Sequence, residues 1–235
     1  MGWVESQHIA FCSREDWPKE EDSLLIAGSV LAPDFAPPLT MGTRLPLTQK
    51  EKRAGCHAVL LPRRGLSGQL ETCTAFIPFS YDVHPGLLPL TQENLFRQLF
   101  KLAGHRYRWS GLWDCSALIQ DVFSCFGLTL PRNTSQQVSI PCPTWNLRGK
   151  SAKEKAALLS HLPPGALLYM DGHVMTLLGH EEGCPMVLHA LWECLSPQRE
   201  PLFFGCAAVT GLELLRVRGG TFLEGVTAAK LLWPP

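Results

Sequence analysis

The chain has 235 residues, 46% hydrophobic and 18% charged, an ordinary globular balance with ample material for a core. Lys plus Arg and Asp plus Glu are 21 each, so the formal charge is zero; that argues against nucleic acid, whose phosphates are bound through a basic surface. No apolar run approaches the ~18 residues of a membrane span. Nine cysteines, an odd number without any Cys-x-x-Cys pair, exclude a complete disulfide framework and are expected to be mostly reduced and buried.

The first residues, MGWVESQHIAF, lack a basic segment followed by an apolar stretch, so no signal peptide is expected in this chain. Met1–Ser6 fits the myristoylation pattern M-G-x-x-x-S, but Trp3 and Val4 read more as the start of a strand than as a lipidated arm. Residues 1–86 are rich in proline and glycine, with short apolar runs LLIAGSVLAP, HAVLLPRRGLSG and TCTAFIPF. Short strands between turn residues predict a small all-β barrel. PFSYDVHPGLLPL, Pro78 to Leu90, carries three prolines and reads as a linker.

From residue 87 to 235 the texture changes. In TQENLFRQLFKLAG, Leu95, Leu99 and Leu102 share a helical face with Phe96 and Phe100, and Gly104 follows as a stop. Cys115–Phe126 repeats the pattern, with Leu118, Ile119, Val122, Phe123 and Phe126 at helical spacing. SAKEKAALLSHL opens on a capping box, Ser151 with Glu154, and ends at Pro163 and Pro164. GALLYM, VMTLLG, MVLHAL and FGCAAV then read as strands joined by short turns. Helices first and an antiparallel sheet afterwards make an α+β domain.

Asp114 is a good N-cap, which puts Cys115 first in its helix. A helix N-terminus presents unpaired N–H groups and a partial positive charge, so a thiolate there is stabilised and an oxyanion can be held. The position suits a nucleophile, and on spacing alone a structural cysteine fits it as well. A nucleophilic thiol needs a base, and the base an orienting group. His173 opens VMTLL and His189 closes MVLH. A hairpin centred near Glu181 sets them roughly opposite each other, unless Gly183 and Pro185 shift the register by a residue. His180, Cys184, His189 and Cys194 match no zinc spacing, and no metal is expected.

The string YRWSGLWDCSALIQDVFSCFGLTLPRNTSQQ, followed by LPPGALLYM, GHVMTLLG and LHA, resembles the NlpC family of papain-like bacterial cell-wall peptidases. The resemblance spans roughly Leu90 to Ala190, with several motifs in the family's order. It implies a papain-like domain over residues 87–235, with Cys115 as nucleophile, His173 as general base and His189 as the residue that orients it. It also implies Tyr107 and the Cys115 N–H at the oxyanion, and Trp109, Asp114, Ser116, Asn133 and Thr134 toward the substrate. Ser110 stands where the family turn has a glycine, and Ala166 where it has an aspartate. Residues 1–86 resemble a bacterial SH3-like barrel, with 1–20 as the possible end of a first barrel.

The implied reaction is hydrolysis of a peptidoglycan stem peptide or muropeptide between γ-D-glutamate and a diamino acid, by a monomer without cofactor. The place of action implied is the periplasm if an upstream signal has been trimmed, and the cytoplasm otherwise. A catalytically silent wall-binding module and a papain-like amidase or acyltransferase are the alternatives.

Overall fold

A computed structural model of the chain describes residues 9–13, 22–28, 30–31, 39–107 and 114–233. It divides into two compact units, residues 1–88 and 89–235.

The first unit is built from short strands. β1 (Ser23–Ile26) is buried along its whole length and pairs antiparallel with both β4 (Arg44–Pro46) and β7 (Val83–Pro85). Between β1 and β4, β2 (Val30–Leu31) pairs with β3 (Leu39–Thr40). β5 (Cys56–Arg64) and β6 (Leu70–Pro78) form a long antiparallel hairpin. Leu24, Ile26, Leu45, Val59 and Ile77 meet in its core. Each such side chain contributes about 1.5–3 kcal/mol of apolar burial. The stretch Pro78–Leu90 differs from the expected linker. Val83 and His84 pair with Ile26 and Leu25, so its first half is sheet and the units part only after Leu88. Residues 1–8 and 14–20, where the end of a first barrel was expected, lie outside the described residues.

The second unit sets α1 (Gln92–Lys101), α2 (Cys115–Ser124), α3 (Thr134–Gln137), α4 (Ala152–Leu159) and α5 (Phe222–Gly225) against one six-stranded antiparallel sheet. The strands are β8 (Thr144–Asn146), β9 (Leu167–Met170), β10 (His173–Glu181), β11 (Cys184–Leu195), β12 (Pro201–Gly211) and β13 (Ala228–Lys230), in the order β12-β11-β10-β9-β13-β8. The fold is α+β.

Local chemistry fixes the helix starts. Thr91 accepts from the Asn94 N–H, Asp114 from Ala117, and Ser151 with Glu154 closes a capping box. Leu95, Leu99 and Leu102 of the α1 segment are buried, whereas Phe100 is exposed. Gly165 has φ +97°, and a side chain there would collide with Trp233 and Leu95, so the turn into β9 needs glycine. The adjoining Ala166 is fully buried in the main core with Leu168, Met175 and Val187. All nine cysteines are free, but only Cys115, Cys125 and Cys194 are buried, fewer than expected. Cys73 stands on the exposed half of β6 and Cys184 beside the tip of the β10–β11 hairpin, where the sheet has no cover. Among the described residues no helix is long and apolar enough to cross a membrane.

Candidate active site

Cys115 is the first residue of α2 and is buried. Helix α2 packs against β10 and β11, which carries the sulfur to the start of β10. There the residues on either side of His173 touch it: the Gly172 carbonyl lies 3.9 Å from Sγ, and the Val174 N–H donates to it. Thr134, at the start of α3, has its hydroxyl 3.8 Å from the same sulfur.

The hairpin turn has positive φ at Glu182 (49°) and Gly183 (81°), as a two-residue type I′ turn requires. The pairing Thr176↔Leu188 then sets His189 diagonally across from His173 rather than opposite it. A bulge between Leu177 and Gly179 shifts the register by one residue, which puts His189 on the same face of the sheet as His173. The diagonal pair is still in contact: His173 Nε2 lies 2.8 Å from His189 Nδ1. His189 Nε2 lies 3.0 Å from the Thr210 hydroxyl on β12, and Phe222 packs edge-on against both rings.

This chain of contacts has one proton arrangement that makes His173 a base. If Nδ1 of His173 is to accept a proton, its Nε2 carries the hydrogen and donates to His189 Nδ1. His189 must then be protonated at Nε2 and donate to the Thr210 oxygen. Thr210 was not anticipated, because it meets His189 only through the β11–β12 pairing, in which Val187 lies opposite Thr210.

Burial dominates the electrostatics. It pulls His173 down to about 4, even though part of the ring faces a cleft, and pulls His189 well below its usual value, with the His173 charge adding to the effect. Burial also pushes the Cys115 thiol up. The Val174 N–H, the Thr134 hydroxyl and the Ser116 N–H oppose this, and Asp114 reinforces it. The net direction is opposite to that expected for a cysteine at a helix start, because desolvation outweighs the helix N–H groups. Burial thus favours the neutral form of both Cys115 and His173. Tyr107 is pushed up to about 12 by burial and by the neighbouring Cys115 and Asp114 charges, so its hydroxyl keeps its proton and can donate.

Residues 104–194 match the model of the NlpC/P60 family. The chain carries an NlpC/P60 domain. The family is one of cysteine peptidases. Two solved structures share the fold. An NlpC/P60 endopeptidase from Photobacterium damselae subsp. piscicida is 16% identical, over 90% of this chain and 54% of that one, with a TM-score of 0.69. An NlpC/P60 family protein from Bacillus cereus is 18% identical, over 92% of this chain and 64% of that one, with a TM-score of 0.59. This chain thus spans about half to two thirds of their lengths. No curated protein matches it.

Two clefts of the NlpC/P60 domain meet at the site. One, of about 880 Å³, is lined by Cys115, Asp114, Ser116, Asn133, Thr134 and Tyr107. The other, of about 730 Å³, opens at His173. Tyr107, Met170, Asp171 and Gly172 belong to both. Trp109 and Ser110 lie outside the described residues. Asp114 does not offer a free charge to the first cleft. Its Oδ1 accepts from Ala117 N (2.9 Å), Ser116 Oγ (3.2 Å) and Arg132 Nη1 (3.0 Å), and its Oδ2 from Arg132 Nη2 (2.5 Å). The Arg132 fork also reaches the Ser116 hydroxyl at 3.0 Å, so Ser116 is held as well. Arg132 stands in the Leu-Pro-Arg phrase, which signalled the family without assigning the arginine a task. Asn133 occupies the N-cap position of α3 but makes no side-chain capping bond, leaving its amide to the cleft.

Proposed function

We propose that the chain is a cysteine endopeptidase acting on peptidoglycan stem peptides, with Cys115 as nucleophile, His173 as general base and His189 as its orienting partner. The observation that carries the reading is the run from His173 Nε2 through His189 to Thr210, which leaves His173 Nδ1 as the proton acceptor. The Cys115 thiol gives its proton to Nδ1 as sulfur attacks the amide carbon. Negative charge on the carbonyl oxygen is met by the Cys115 N–H and the Tyr107 hydroxyl. The C–N bond breaks, the imidazolium returns the proton to the departing amine, and a thioester remains on Cys115. Water, deprotonated by His173, then releases the acid and restores the thiol.

The acyl half stays bonded to sulfur and so belongs in the Cys115 cleft. The resemblance favours γ-linked D-glutamate there, whose free α-carboxylate suits the exposed Arg148 on the same cleft wall. Residues 1–86 we read as an SH3-like barrel.

The proposed amine subsite is weak in this chain. An ammonium at the stem peptide's N-terminus would face the neutral Asn133 and Thr134, and the Asp114 charge is already engaged by Arg132. A neutral acceptor makes a hydrogen bond about half as strong as a carboxylate does. Mass spectrometry of products from defined muropeptides tests the bond cleaved: a fragment ending in D-glutamate is expected, and cleavage elsewhere would refute the assignment. In the same assay, kcat/KM for a free-amine stem peptide over its N-acetylated form should be smaller in the wild type than in Asn133→Asp. An equal ratio would remove Asn133 from the subsite.

A further inference from the structure

Cys142 lies half-buried between Pro141 and Pro143, in the loop that leads from α3 to β8. The prolines restrict the backbone on either side of it, and the Leu231 N–H donates to the Pro143 carbonyl at 3.1 Å. Lys230, on β13, is buried against this loop and only 4% exposed. An ammonium has three N–H donors, and all three find acceptors here. The Ile140 carbonyl lies 2.6 Å from Nζ, the Thr144 hydroxyl 2.9 Å and the Cys142 sulfur 3.8 Å. Lys230 makes no ion pair among the described residues, so its buried charge meets only neutral acceptors while Cys142 is a thiol. Tyr169 adds a further donor. It pairs with Ala228, so its side chain shares a face of the sheet with Lys230. Its hydroxyl is buried without a partner among the described residues, and burial and then the Cys142 charge push its pKa up. A thiol sulfur is a weak acceptor, so neither donor is well matched by it.

We propose that Cys142 is a modification site, a thiol that a hydroperoxide oxidises to the sulfenic acid, with the new oxygen held by the Lys230 ammonium and the Tyr169 hydroxyl. The Cys142 sulfur attacks one peroxide oxygen, and the O–O bond breaks. That oxygen stays on sulfur, and the other leaves with the thiol proton, as water when the oxidant is hydrogen peroxide. Sulfur gives up two electrons and the peroxide takes them. A thiolate is the form that attacks, and a neighbouring cation stabilises one. Cys184 is the contrast: it is more exposed, but a hydrogen bond and the charge of Glu213 push its thiol up. Neither Cys142 nor Lys230 lines the two clefts, so the modification site goes beyond the peptidase reading and does not depend on it.

The test is exposure of the full-length chain to hydrogen peroxide with dimedone present, which traps sulfenic acids. Peptide mass spectrometry then gives the labelling rate at each cysteine. The Cys115→Ala background removes competition from the proposed nucleophile and needs no turnover. Cys142 is expected to label about ten-fold or more ahead of Cys73 and Cys184, although both are more exposed. Lys230→Met removes the charge and Tyr169→Phe removes only the hydroxyl. Each should bring Cys142 back to the rate of the exposed thiols, with circular dichroism checking the fold. If Lys230→Met does not fold, Tyr169→Phe decides alone. A Cys142 that labels no faster than Cys73 and Cys184, or a lead that survives in either folded variant, overturns the proposal.

Discussion

Asp121 and the two histidines pull the pH dependence of stability in opposite directions. His173 has a folded value of about 4 against 6.5 unfolded, so the unfolded state binds more protons between those values. Its contribution is complete above about 6.5 and is lost as pH falls toward 4, and His189 acts in the same sense. Asp121, on α2, has Oδ2 buried without a partner. Burial raises it from 3.8 to about 7, against the pull of Arg132 and with the push of Asp114. Its contribution is complete below 3.8 and is lost as pH rises toward 7. Asp121→Asn should therefore raise the Tm more at pH 8 than at pH 5, and an equal gain at both would contradict the buried-acid assignment. For the relay, Thr210→Val keeps the side-chain shape and removes the acceptor for His189. A fall in kcat of about ten-fold with little change in KM is expected, with recovery in Thr210→Ser. His173→Ala should lose the full general-base contribution of about 10²–10⁴. His189→Asn should retain measurable activity. Cys115 and Asp114 were legible because capping is a matter of three or four adjacent residues. Thr210 was not, since it lies 21 residues from His189 and meets it only through strand register.

At the scale of elements, α2 does two tasks with one end: it positions Cys115, and its cap Asp114 anchors Arg132 from the following loop. The Asp114–Ala117 bond does not involve Arg132, so Arg132→Gln should leave α2 intact. The variant should push the Cys115 thiol further up, because the Asp114 charge is no longer offset. The pH dependence of iodoacetamide labelling at Cys115 checks this, and a shift toward lower pH would refute the role given to Arg132. The helices and long strands of the second unit could be read from capping and periodicity. β8 and β13, three residues each, could not. They exist by pairing with each other and with β9, not through any pattern of their own. The same limit hid the bulge between Leu177 and Gly179, where a contact across strands decides the register.

For the whole molecule, the change of texture near residue 87 was legible, and β7 was not. Three prolines argued for a linker, yet the strand satisfies its backbone at the edge of β1. Separate cores in the two units predict two unfolding steps in a denaturant titration and protease cleavage between Pro85 and Pro89. One coincident transition by every probe would count against two independent units. The proposed chemistry rests on a single sulfur atom. It is tested most directly by kcat/KM on a defined stem peptide for wild type and for Cys115→Ala, with circular dichroism confirming that the variant is folded. Hydrolysis by the wild type and none by the folded variant is the expected result. A folded Cys115→Ala protein that still cleaves the same bond would contradict it.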